Sequence, residues 1–136
     1  MDVDNALDQR EKAKFQKLPE GSKIGHIHLH VSDLLKAEDF FVYKIGFQKI
    51  LKYGKSALFL SDGGYHHHIG LNIWNGTNIA NKPKDMVGLS SYVINLPKTK
   101  LAILDRLDNL IKLDENKYQT EDINNCKIII EVANKK

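Results

Sequence analysis

Polar and apolar residues alternate strictly from Ile24 to Val31, with Ile27, Leu29 and Val31 in one phase and His26, His28 and His30 in the other. Successive strand side chains point to opposite sides, so this stretch predicts a strand with two unlike faces. The period then changes. Leu34, Ala37, Phe40 and Phe41 mark a helical stripe, Ser32 or Asp33 can cap its start by accepting a free backbone N–H, and Gly46 suits its end after about Ile45. Extended patterns return over Phe47 to Tyr53 and Ser56 to Ser61, separated by Gly54-Lys55. Asp62-Gly63-Gly64 predicts a second turn, and Tyr65 to Trp74 a longer strand. The element order is therefore β-α-β-β-β.

The second half repeats that order in shortened form. A polar loop, Asn75 to Asp85 with Pro83, leads into a strand over Val87 to Asn95. Pro97 suits a first helical turn, and Leu101, Leu104 and Ile111 keep helical spacing to about Leu113. Lys117 to Glu121 and Lys127 to Val132 read as closing strands joined by a turn at Asp122-Ile123-Asn124-Asn125, with one strand reduced or missing around Asp114 to Asn116. Residues 1–22 are highly charged and read as an arm or linker, with a marginal helix over Ala6 to Lys17. Residues 23–136 form one domain: module one over 23–76, a loop over 77–86, module two over 87–134.

Composition limits what such a chain does. A length of 136 residues with 42% hydrophobic and 27% charged side chains fits one globular domain. Its longest apolar runs, such as Ile128-Ile129-Ile130, fall far short of the ~18 to 20 residues of a membrane span. The start, Met1-Asp2-Val3-Asp4-Asn5, lacks the basic and apolar regions of a secretory signal, so the expected location is the cytoplasm. A single cysteine, Cys126, excludes an internal disulfide and reads as a packing residue. Lys and Arg number 20 against 17 Asp and Glu, dispersed along the chain without a basic patch, which argues against nucleic acid as a partner.

All 6 histidines fall in the first strand and in Gly63-Gly64-Tyr65-His66-His67-His68-Ile69-Gly70-Leu71-Asn72-Ile73-Trp74. Strand phase puts His66, His68, Gly70, Asn72 and Trp74 on one face and His67 on the helix side, unless a bulge after Gly63-Gly64 swaps them. With His26, His28 and His30 facing the same space, five histidines converge on one cavity. Imidazole can ligate transition metals, move protons near neutral pH, or hydrogen-bond to a neighbour or water. Glu131, in the last strand, either completes a two-His, one-carboxylate metal site or is an ordinary solvated residue.

The segments Ile24-Gly25-His26-Ile27-His28-Leu29-His30-Val31-Ser32-Asp33-Leu34, with Phe40-Phe41 and Ile45-Gly46-Phe47, and then Gly63 to Trp74 resemble the vicinal oxygen chelate superfamily. Within it the likeness is to the glyoxalase, bleomycin-resistance and extradiol dioxygenase group, especially the C-terminal half of catechol 2,3-dioxygenase-like proteins. The resemblance implies an α+β fold of paired βαβββ modules in an incomplete barrel, the second module shortened. It also implies a divalent metal (Fe, Mn, Zn or Ni) in the cavity, chelated by a small molecule such as an aromatic diol. His26 matches the family's first ligand position, the second falls at Ser91, and the third falls near Ile129, with Glu131 on the same face. The expected site thus has His26 and Glu131 on the metal, His66 and His68 moving protons, and His28, His30, Asn72 and Trp74 around the substrate. The expected activity is ring-cleaving dioxygenation or a glyoxalase-type reaction. The alternative is a non-catalytic binding protein of the same fold with a degenerate site and no metal. A homodimer, or pairing with another half-domain, is expected of a chain of this length.

Overall fold

The computed structural model describes residues 16–133. Two four-stranded sheets repeat one topology, with order β1-β4-β3-β2 in the first and β5-β8-β7-β6 in the second. The first contains β1 (Ile27–His30), β2 (Gln48–Tyr53), β3 (Ala57–Ser61) and β4 (Ile69–Asn72), and the second β5 (Ser91–Leu96), β6 (Ile111–Lys112), β7 (Lys117–Glu121) and β8 (Lys127–Val132). The first strand of each module pairs in parallel with the last, and the other pairings are antiparallel. Among the described residues the architecture is mixed α and β with no closed barrel, as the paired-module reading expects.

Alternation decides which face each strand buries. Leu29 and Val31 are buried while His28 and His30 are exposed, and Ile128, Ile130 and Val132 are buried while Ile129 and Glu131 are only partly covered. The buried faces of both sheets, together with Phe41 and Ile103, form one continuous core. Burying each large apolar side chain contributes about 1.5–3 kcal/mol, so the core favours the strand phase that leaves the histidines outside it. Polar contacts tie the modules together: Lys44 Nζ lies 2.5 Å from Asp108 Oδ2, Asn124 Nδ2 donates to the His30 carbonyl at 2.8 Å, and Lys100 pairs with Asp62.

Helix α1 (Leu34–Glu38) begins at Asp33, whose Oδ1 accepts from Leu35 N at 3.0 Å and Lys36 N at 3.1 Å. It widens into a π-helix over Asp39–Lys44, where Ile45 N reaches back to Phe40 O at 3.0 Å and Phe41 is fully buried.

Three expectations need correction. The second helix is a 3-10 segment over Lys98–Arg106, kinked at Lys100, and does not reach Leu113. Leu107 is already extended, with φ −91 and ψ 128, which ends helical propagation, and Ile111–Lys112 instead form the short strand β6 against β7. The reduced strand therefore lies before Asp114. The long strand expected over Tyr65 to Trp74 holds ladder geometry only over Ile69–Asn72. The helix considered over Ala6 to Lys17 falls outside the described residues except for Gln16 and Lys17, which are not helical. Among the described residues no helix is long and apolar enough to cross a membrane.

Candidate metal centre

The histidine face of β1 is built on Gly70. Gly70 pairs with His28 across the parallel ladder and with Phe59 across the antiparallel one. A Cβ at Gly70 would lie 2.7 Å from both Nδ1 and Cε1 of His28, so the imidazole rests on the bare backbone. Glycine within a strand often marks such a close approach. The His28 ring then meets Phe59 edge-on at 6.0 Å and His26 at 5.2 Å between centroids.

The turn before β4 delivers the other histidines. Gly63 and Gly64 take φ of 65 and 76, a left-handed pair that glycine adopts without steric cost. His68 fastens the end of this turn. Its N–H donates to Leu60 O at 2.7 Å, and its carbonyl accepts from Ile27 N at 3.0 Å. Asp62 N donates to His68 Nδ1 at 3.1 Å, with Ser61 Oγ 3.2 Å from the same nitrogen. A backbone N–H can only donate, so Nδ1 is an acceptor and the ring proton sits on Nε2. The ring lies 4.6 Å from Tyr65 and 6.3 Å from Phe47.

His67 lies against the histidine face, contrary to the phase expected of it. Its ring centroid is 4.4 Å from His26, 5.4 Å from His28 and 5.1 Å from Phe59. Residues 65–68 lie outside the β4 ladder, so strict alternation does not govern them, and His66 and His67 both reach His26. His66 sits 4.7 Å from His67 and 6.0 Å from His26.

Ring nitrogens of His26, His66 and His67 all fall within 4.8 Å of one another, a separation that one cation can bridge. His67 Nε2 is buried and has no hydrogen-bond partner among the described residues. Burial first, then the neighbouring imidazoles of His26, His66, His28 and His68, lower the His67 pKa below its ordinary 6.5. The ring is therefore neutral at pH 7 and leaves a buried nitrogen unsatisfied, at a cost of about 1–3 kcal/mol. A metal ion would supply the missing partner, and the donor set fits one.

The remaining candidates are placed elsewhere. Glu131 does not join the three histidines; its carboxylate lies 3.2 Å from Lys117 Nζ in the second sheet. Ser91 is exposed at the start of β5, opposite Lys127 of β8. Asn72 is buried, and its Oδ1 accepts from Trp74 N at 3.2 Å, so it closes the strand end. Trp74 is 60% exposed and donates from Nε1 to Ser56 Oγ at 3.3 Å. The His30 side chain is exposed. Cys126 approaches Leu89 O at 3.6 Å, and burial, its largest influence, raises its thiol pKa, which opposes a nucleophilic role. Sequence reasoning placed Gly70 on the histidine face without a role and missed His67 and Phe59 as parts of the site; the pair Gly63-Gly64 was the available signal for His67.

Two modules of one strand order sharing one core make a glyoxalase-like fold. No family model matches the chain. It is 45% identical over 113 residues to catechol-2,3-dioxygenase of Bacillus subtilis (strain 168), an alignment that takes in 82% of this chain and 39% of that protein. The chain thus spans well under half of that relative's length. Among solved structures it resembles a glyoxalase/dioxygenase from Nostoc punctiforme, with TM-score 0.61, 9% identity and coverage of 90% of this chain and 100% of that one. The cppA protein from Streptococcus pneumoniae TIGR4 is similar with TM-score 0.66 and 16% identity, over 79% of this chain and 48% of that one.

Proposed function

We propose that this chain is a metal-dependent enzyme acting on a small molecule, with ring cleavage of a catechol-like diol as its reaction and His26, His66 and His67 as the metal-holding residues. The observation that carries the reading is the buried, unpartnered Nε2 of His67 beside two further imidazoles. The similarity to a protein named catechol-2,3-dioxygenase supplies the substrate class. A divalent metal bound there would act as a Lewis acid and gather neighbouring oxygens of a diol.

The protein's own groups divide the remaining work. His68, with its proton on Nε2, is a hydrogen-bond donor and holds the loop bearing His66 and His67. His28 is exposed, beside His26 and His67, and its ring makes no hydrogen bond among the described residues. It is therefore the group free to accept a substrate proton. Exposure of His26 and His66 leaves the site open, whereas small-molecule sites bury most of their ligand. A second copy of the chain closing over this face completes the proposal, and light scattering measures it.

Oxygen uptake on catechols by metal-loaded, tag-free protein tests the activity. His67→Gln should lower kcat/KM at least about a hundredfold, or ~2.7 kcal/mol of transition-state stabilisation. A fully loaded protein that consumes no oxygen on any catechol overturns the ring-cleaving reading. The exposed Trp74 and Tyr65, at 60% and 40%, favour one other reading, a binding protein for small aromatic molecules. Quenching of Trp74 fluorescence without turnover distinguishes it.

A further inference from the structure

We infer that Lys100 of the second module is a positioning residue for the histidine turn of the first: by holding the Asp62 carboxylate, it keeps the His68 ring proton on Nε2. The inference rests on the proposal that this turn carries the functional site, and its test reads the proton itself, without metal or turnover. Asp62 meets its neighbours through two groups of opposite character. Its N–H donates to His68 Nδ1 at 3.1 Å, while its carboxylate pairs with Lys100. Both groups belong to one residue, so a carboxylate released by Lys100 can compete for the same ring nitrogen.

The partner at Nδ1 decides the tautomer. A neutral imidazole carries one ring proton, and the hydrogen bond made by one nitrogen sets the state of the other. A backbone N–H at Nδ1 places the proton on Nε2, which then donates; a carboxylate at Nδ1 draws the proton there and leaves Nε2 an acceptor. The carboxylate is the stronger claimant, because a hydrogen bond to an ionised group is roughly twice as strong as one between neutral groups. Ser61 does not choose between them. It is fully buried, with Oγ 3.2 Å from both His68 Nδ1 and the Asp62 carbonyl, and a hydroxyl donates or accepts as required. Lys100 is anchored in the other module. Its N–H donates to Pro97 O at 2.9 Å, and its backbone departs from helical geometry with φ −115 and ψ 20, just beyond the buried end of β5 at Leu96. A half-exposed ion pair of this kind adds little to stability. Its consequence here is the site of one proton.

The test is imidazole 15N spectroscopy of the metal-free, full chain at alkaline pH, with the His68 signals assigned by their loss in His68→Gln. The wild type should show a bare Nδ1 and a protonated Nε2. Lys100→Met should move about half or more of the rings to the Nδ1–H form, with Tm lowered by no more than about 5 °C. Lys100→Arg keeps the ion pair and should match the wild type. Adding Asp62→Ala to Lys100→Met should return the proton to Nε2, because the competing carboxylate is gone and the backbone N–H remains. If Lys100→Met fails to fold, Lys100→Ala carries the same test. A proton that stays on Nε2 when Lys100 is replaced, or an Nδ1–H form that persists after Asp62→Ala is added, overturns the inference. Tautomer control by Lys100 in a chain that binds no metal supports the inference and refutes the proposed function.

Discussion

Gly70→Ala probes the seat of the histidine cluster with one methyl group. The new Cβ would lie 2.7 Å from Nδ1 and Cε1 of His28 and 3.1 Å from Cγ, whereas carbon atoms in contact settle at about 3.5–4.0 Å. The ring must therefore move by roughly 1 Å. Overpacking a closed core costs about 1–3 kcal/mol, and because His28 can swing toward solvent the lower end applies, about 1 kcal/mol. That lowers Tm by roughly 3–6 °C for a chain of this size. The moved ring also releases His26 and His67, which it touches, and displaced supporting groups typically cost ~10-fold or more in metal affinity. The decisive assay is a double-mutant cycle, read by thermal unfolding and Zn2+ titration. With His28→Ala in the background the clash is gone, and alanine should then gain about 0.5–1 kcal/mol over glycine in a strand. The sign of the effect reverses. Equal destabilisation in both backgrounds would show that the methyl strikes something other than His28 and would refute this account of the seat.

Other outcomes follow from the same structure. His66→Ala should weaken metal binding with little change in Tm, because His66 is exposed. His68→Ala should lower stability by about 1–3 kcal/mol, because it leaves Asp62 N–H without its acceptor. Asp122 accepts from Asn124 N at 2.8 Å, Cys126 N at 3.0 Å and Tyr92 Oη at 2.9 Å, so Asp122→Ala should cost about 3 kcal/mol in urea unfolding while Asp122→Asn costs less than about 1. Burial raises the Asp122 pKa above 3.8, so the folded state holds this proton more tightly, and its contribution to stability falls as pH rises above that value. Urea midpoints across the acidic range should show this slope in the wild type and lose it in Asp122→Asn. His67 acts in the opposite direction: its folded pKa lies below 6.5, so the metal-free protein should lose stability as pH falls below 6.5, and His67→Gln should flatten that loss.

How far the sequence could be read depended on where burial imposed a phase. In β1 one face enters the core and the other does not, so a one-residue slip would expose Leu29 and Val31, and alternation alone located His26, His28 and His30. Past Leu104, apolar spacing fitted a helix, yet the extended backbone at Leu107 and the pairing of Ile111 with Gln119 made the next segment a strand. No local pattern distinguishes those outcomes, since the pairing partner lies farther along the chain. Residues 65–68 were harder for a related reason: the Gly63-Gly64 turn releases them from the ladder, and the phase counted from Ile69 no longer applies. Glu131 shows the remaining limit. Its strand was legible and its facing was left open; Ile130 and Val132 are buried on either side, and its partner was set by the pairing of Lys117 with Glu131 across β7 and β8. The site consequently depends less on the count of histidines than on two backbone features between them. Gly70 lets His28 lie against the sheet, and the hydrogen bonds to His68 bring His67 over it. A chain with the same histidines and an alanine at position 70 would carry the same motif with a displaced His28.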